Sequence, residues 1–199
     1  MPIGVTVKTN KLDELKKLVD KLTSKQVLIG IPAENAPRGD GSEINNAAIG
    51  YLMETGCPER NIPARPHLVP GIREAAPRAV NILKIAAKKL LTVESRPEDI
   101  DGALEKVGMI CVSEVKTIIQ SKIPPPLADS TLKARAARAG NAKKGVGISK
   151  GAIKELKMRA EKREKFGADF MPDSVFVTPL IDSGQYISKI TSVVRNRTK

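Results

Sequence analysis

GIREAAPRAVNILKIAAKKLLT (residues 71–92) and PEDIDGALEKVGMICVSEVKTIIQS (residues 97–121) decide the fold. In the first stretch Ile72, Ala75, Ala79, Ile82, Leu83, Ala86 and Leu90 recur at the three- and four-residue spacing of one helical face. Pro77 falls inside it and predicts a break or kink, hence two segments. In the second, Pro97 suits a first helical position, and Glu98 and Asp99 complement the positive end of the helix dipole. Its expected buried face is Ile100, Leu104, Val107, Ile110, Cys111, Val115 and Ile118, and Ile123-Pro124-Pro125-Pro126-Leu127 stops it. Two long helices joined by a short turn predict an antiparallel pair.

Toward the N-terminus, residues 3–8 alternate as a short strand, and Asn10 is a candidate cap for a helix with Leu12, Leu15, Val19 and Leu22 on one stripe. Residues 27–31 read as a short buried strand stopped by Pro32. Ser42 suits the cap of a helix that buries Ile44, Ala47, Ala48, Tyr51 and Leu52 and ends at Gly56. Pro58, Pro63, Pro66 and Pro70 then exclude a helix over residues 57–70 and impose an extended path.

Toward the C-terminus, Asp129 and Ser130 cap a short helix over residues 131–139. Glycines at 140, 145, 147 and 151 predict a mobile loop. Residues 152–166 are helical but highly charged, with few apolar positions (Ile153, Leu156, Met158), a helix expected to order against a partner. Residues 175–177 read as a strand, Asp182 with Gln185 as a capping box, and residues 187–194 as a closing strand. The fold class is α+β: a small, mostly antiparallel sheet packed against long helices. Residues 1–199 form one domain, within which residues 131–173 make a basic helical insertion or arm.

The chain has 199 residues, 41% apolar and 28% charged, the balance of a soluble globular protein. No apolar run approaches the roughly 18 residues that cross a membrane. Residues 1–10 lack the basic and apolar blocks of a secretion signal, so none is expected. Two cysteines and one histidine exclude a disulfide framework, a zinc finger and a histidine relay. Aromatics are few (Phe166, Phe170, Phe176, Tyr51 and Tyr186), leaving the core to Leu, Ile, Val and Ala. The net charge of +12 is uneven: residues 131–170 hold twelve Lys and Arg against four acids. Such a block either attracts a polyanion or simply solvates a helix. Its candidate contacts with a polyanion or acidic partner are Lys133, Arg135, Arg138, Lys143, Lys144, Lys150, Lys154 and Lys157.

Catalytic signals are weak. Gly140-Asn141-Ala142-Lys143-Lys144-Gly145-Val146 fails as a phosphate loop, which requires Lys and Ser/Thr directly after its last glycine. Cys111 reads as a small core residue, and His67 as a packing or interface residue rather than a base. Glu54, Glu59, Asp99 and Asp101 lie in no motif and read as surface charges or helix-dipole complements. No nucleophile is paired with a base. A non-enzymatic binding or structural protein, without cofactor or metal, is expected.

Two segments carry a resemblance. One is Tyr51-Leu52-Met53-Glu54-Thr55-Gly56 followed by Ile62-Pro63-Ala64-Arg65-Pro66-His67-Leu68-Val69-Pro70. The other is Ala128-Asp129-Ser130-Thr131-Leu132 followed by Thr178-Pro179-Leu180-Ile181-Asp182-Ser183-Gly184-Gln185-Tyr186. In this order they resemble the tail-completion, or virion morphogenesis, family of tailed double-stranded DNA phages, which includes head–tail joining and tail-terminator proteins. The likeness spans about residues 40–130 and 175–195. His67 stands where the family pattern has Phe, Ser183 where it has Thr, and Tyr186 where it has Leu or Arg. The resemblance implies a virion protein made in the bacterial host cytoplasm and placed at the head–tail junction. It would form a homo-oligomeric ring, a hexamer, that meets tail-tube and head-connector proteins and no membrane. Its subunit or partner interface would draw on Ile62, Pro63, Arg65, Pro66, His67, Thr178, Pro179, Asp182, Gln185 and Tyr186. The stiff proline segment suits either a ring contact or an internal connector. Arg65 would pair with an acid within its own chain or in a neighbour. The basic insertion would reach an acidic connector face or DNA in the lumen. The alternative reading is a stand-alone basic nucleic-acid-binding module.

Overall fold

Small side chains let the two long helices approach closely. The computed structural model describes residues 13, 16, 19, 20, 23–39, 43–90, 98–141 and 148–197. Its named elements are β1 (Lys25–Gly30), α1 (Asn46–Thr55), α2 (Leu68–Leu90), α3 (Glu98–Gln120), α4 (Asp129–Asn141), α5 (Ile148–Phe166), α6 (Gln185–Lys189) and β2 (Thr191–Asn196), with single 3-10 turns at Ala33–Asn35 and Pro58–Arg60. Helices α2 and α3 run antiparallel. Gly71 lies against Val115, Ala75 and Ala79 pack with Val107 and Cys111, and Leu83 packs with Ile100 and Leu104. A Cβ at Gly71 would stand 2.6 Å from Val115 Cα, a clash with backbone that no rotamer relieves. Gly71→Ala is therefore expected to lower unfolding stability by about 1–3 kcal/mol, read from urea titration.

Strands β1 and β2 pair antiparallel, with Val27 opposite Val194 and Leu28 opposite Val193. Strand alternation turns Val27, Ile29 and Val194 toward the α2–α3 pair and leaves Leu28 44% exposed on the other side. Two further clusters complete the interior. Val115, Ile119, Leu180, Tyr186 and Ile190 gather around α6, and Leu127, Leu132, Ala152 and Val177 hold α4 to α5. The architecture is α+β, long helices on a small antiparallel sheet.

Several local expectations change. Helix α2 is one helix, with Pro77 inside it. Arg73 and Pro77 are both exposed, so the carbonyl that the proline leaves free is on the solvent side. The same helix starts at Leu68, so Pro70 sits in its first turn rather than in an extended path, and Ile72 is 38% exposed. In α3 it is Ile119, not Ile118, that is fully buried. Helix α1 buries Asn46 and Gly50, while Ile44 and Tyr51 are exposed. Asn45 caps the helix by accepting the Ala48 N–H at 2.8 Å, and Tyr186, packed on Gly50, selects the face that is buried. Residues 175–177 are not a strand. The Val175 and Phe176 N–H groups donate to the Glu155 carboxylate at 3.0 and 2.7 Å instead of to a neighbouring strand. Residues 187–194 divide between α6 and β2. Helix α5 starts at Ile148 and packs on α4 within the chain, so its order needs no partner. The expected strand at residues 3–8, Asn10, Ser42 and the centre of the 140–151 loop lie outside the described residues.

Candidate assembly interface

The site begins where α1 ends. Gly56, at φ 77°, caps the helix, and any Cβ there would meet the Ala64 N at 2.7 Å. Cys57 and Ile62 exchange backbone hydrogen bonds of 2.8 and 3.0 Å and close a tight turn around Asn61. The chain then runs back along α1, and Arg65 N donates to Met53 O at 2.6 Å.

Glu54 joins this segment to α2. Its carboxylate accepts the N–H groups of His67, Leu68 and Val69 at 2.8, 2.9 and 3.1 Å, donors that the first turn of α2 cannot satisfy itself. Glu54 is thus a helix-dipole complement, but of the next helix in sequence. Burial pushes its carboxyl pKa up, yet the three N–H groups and nearby His67 outweigh burial and hold it below the ordinary value. A carboxylate so held stabilises the fold above the unfolded-state value, and the contribution is lost as pH falls through the lowered one. Glu54→Gln is expected to cost about 1–2 kcal/mol near neutral pH. It is also expected to flatten the loss of stability on acidification, read as thermal midpoints from about pH 6 down to pH 3.

His67 is fully buried. Its Nδ1 lies 2.8 Å from the Arg65 carbonyl and 3.2 Å from Glu54 Oε2. A carbonyl only accepts, so Nδ1 carries the proton and donates. In the neutral ring, Nε2 then accepts the hydrogen bond from Tyr186 Oη. The two rings meet edge to face, with centroids 5.5 Å apart. Burial, with the Glu54 charge, pushes the Tyr186 phenol pKa well up. Tyr186 also fills the space left by Gly50, where an ideal Cβ would be 3.0 Å from its Oη. Residues 67 and 186, both departures from the resembled pattern, are therefore direct partners.

Two arginines brace the surroundings. Arg65 donates to Pro125 O at 2.9 Å, tying the segment to the proline run after α3. Its acidic partner, expected in this chain or a neighbour, is replaced by a backbone carbonyl. Arg135 donates to the carbonyls of Thr178, Ile181 and Pro179 at 3.3, 2.9 and 2.8 Å and so shapes the turn before α6. Asp182 pairs with Arg135 at 3.5 Å and with Arg138 at 2.6 Å. The expected capping box is absent: Gly184 is the N-cap of α6, with no side-chain cap.

The structure therefore brings residues 62–67 and 178–186 together and sorts their candidates. Arg65, His67, Pro179 and Tyr186 are buried, an internal frame rather than contact surface. Pro63 and Pro66 are exposed, and Ile62, Thr178, Asp182 and Gln185 are half-buried. Between α1 and the second segment is a cleft of about 310 Å³, lined by Ile49, Met53, Arg38, Arg135, Leu180 and Tyr186 among others. Of the basic candidates, Arg135 is internal and Arg138 is paired, whereas Lys133, Lys150, Lys154 and Lys157 are exposed. Lys143 and Lys144 lie outside the described residues. Glu54 and Glu155, missed as structural anchors, had a readable signal only in part: a carboxylate near a helix start is informative, but each caps a segment other than its own.

Among the described residues, no His, Cys, Asp and Glu cluster is placed to hold a metal ion, and no helix is long and apolar enough to cross a membrane. Neither a family model, nor a curated protein, nor a solved structure matches the chain.

Proposed function

We propose that the chain is a virion structural protein of a tailed phage, assembled into a closed ring at the head–tail junction. There it terminates the tail tube or joins it to the head connector. One observation carries the reading: the two segments of the resemblance meet through His67 and Tyr186, 119 residues apart in sequence. A pattern whose distant parts converge on one buried node reads as one unit of structure.

A closed ring requires two unlike, complementary patches on each subunit. The exposed prolines at 63 and 66 form one stiff rim, which loses little entropy on docking. The cleft between α1 and residues 179–186 offers the second patch, a recess for a neighbour's side chain. Tyr51, 70% exposed and one helical turn from Glu54, is the large side chain left uncovered on α1. The test is negative-stain imaging of the purified chain, alone and mixed with tail-tube and head-connector proteins of the same virus. Closed rings, six-fold in the expected case and lost in Tyr51→Asp, support the reading. Isolated subunits in every mixture contradict it.

A further inference from the structure

All three phenylalanines are on the surface. Phe166 is 66% exposed, Phe170 38% and Phe176 47%, and none belongs to a core cluster. Phenylalanine normally supplies core area, so a chain this poor in aromatics that spends none of its Phe inside has placed them for contact. All three flank α5. Phe166 and Phe170 lean on one another with centroids 5.1 Å apart at its C-terminal end. Phe176 lies near its start, where its carbonyl crowds Gly151 and Lys154 Nζ stands 6.0 Å over its ring. Between them Lys154, Met158, Lys162 and Phe166 follow at successive four-residue steps, a single ridge about 18 Å long.

The charge on this helix is divided by residue type. Its arginines are turned inward: Arg159 pairs with Asp129 and Glu155, and Arg163 with Asp129. Among the described residues, Lys150, Lys154, Lys157, Lys162 and Lys165 have no carboxylate within ion-pair distance. The exposed carboxylates Glu161 and Glu164 fall outside the ridge. Arginine is the side chain that reads carboxylates in a planar fork, and here it is internal. What faces out is lysine, a point charge suited to spaced phosphates, beside phenylalanine rings that are partly exposed to solvent.

We propose that this side of α5 binds single-stranded nucleic acid, with Lys154, Lys162 and their neighbours on phosphates and Phe166, Phe170 and Phe176 stacked on bases. Charge complementarity selects a polyanion, and the exposed phenylalanines select one whose bases are unpaired and free to stack. The proposal stands apart from the ring reading and survives or fails without it.

The test is fluorescence anisotropy of the full-length chain with a labelled oligothymidylate strand and with a duplex of equal length, at several salt concentrations. The strand is expected to bind more tightly than the duplex, with affinity falling steeply as salt rises. Phe166→Ala with Phe170→Ala should weaken strand binding about tenfold or more, while the Tyr pair at the same positions retains it. Lys154→Gln with Lys162→Gln should lower the salt slope by about 1.4. The substituted side chains are at the surface, and circular dichroism verifies that each variant is folded. Equal affinity for strand and duplex, indifference to the Phe pair, or no binding overturns the proposal. So does displacement of the strand by poly-glutamate at equal charge, which would assign the face to an acidic protein.

Discussion

Arg159→Met is expected to destabilise the chain by about 3–5 kcal/mol, among the largest effects of any single substitution here. Arg159 is fully buried, donating to Leu127 O at 2.6 Å and Asp129 Oδ1 at 2.9 Å and lying 3.4 Å from Glu155 Oε1. Glu155 is fully buried too, and its other oxygen holds the Val175 and Phe176 N–H groups. Methionine fills much of the volume but strands the Glu155 carboxylate in the interior without its cation. Urea unfolding reads the loss. Adding Glu155→Gln to Arg159→Met should recover part of it, because the amide keeps one acceptor and removes the buried charge. If the double variant were no more stable than Arg159→Met, the charge would not be the cause.

The second large effect concerns residues 67 and 186. His67→Phe, the residue of the resembled pattern, is expected to cost about 2–4 kcal/mol, because it strands both Tyr186 Oη and the Arg65 carbonyl in the interior. Tyr186→Phe in that background removes the stranded hydroxyl but keeps the ring that packs on Gly50, and should return about 1–2 kcal/mol. Two substitutions that harm singly and relieve one another jointly are the signature of contact. Strict additivity in this double-mutant cycle would contradict the pairing of the two segments.

Much of the fold is legible because its signals are local. The apolar period of residues 100–119 and the proline run behind it give α3, and Gly56 ends α1 for a reason that its own backbone supplies. Legibility fails where a distant partner decides. Tyr51 and Ile44 look like core in sequence, but Tyr186 presses on Gly50 and selects the other face of α1. Residues 175–177 read as a short strand, yet Glu155 takes the Val175 and Phe176 N–H groups. Asp182 has the spacing of a cap, but Arg135 and Arg138 hold it first. The same limit applies to the site. Sequence brings residues 62–67 and 178–186 forward by resemblance, whereas only the packing separates the buried frame of His67, Arg65, Pro179 and Tyr186 from the exposed prolines around it.

The measurement that tests the proposed ring most directly is the light-scattering mass of the full-length chain, alone and after addition of the phage tail-tube and head-connector proteins that it is proposed to join. The account predicts a discrete ring-sized species, formed alone or on adding either partner. A mass that stays at 21.4 kDa through every mixture would contradict it.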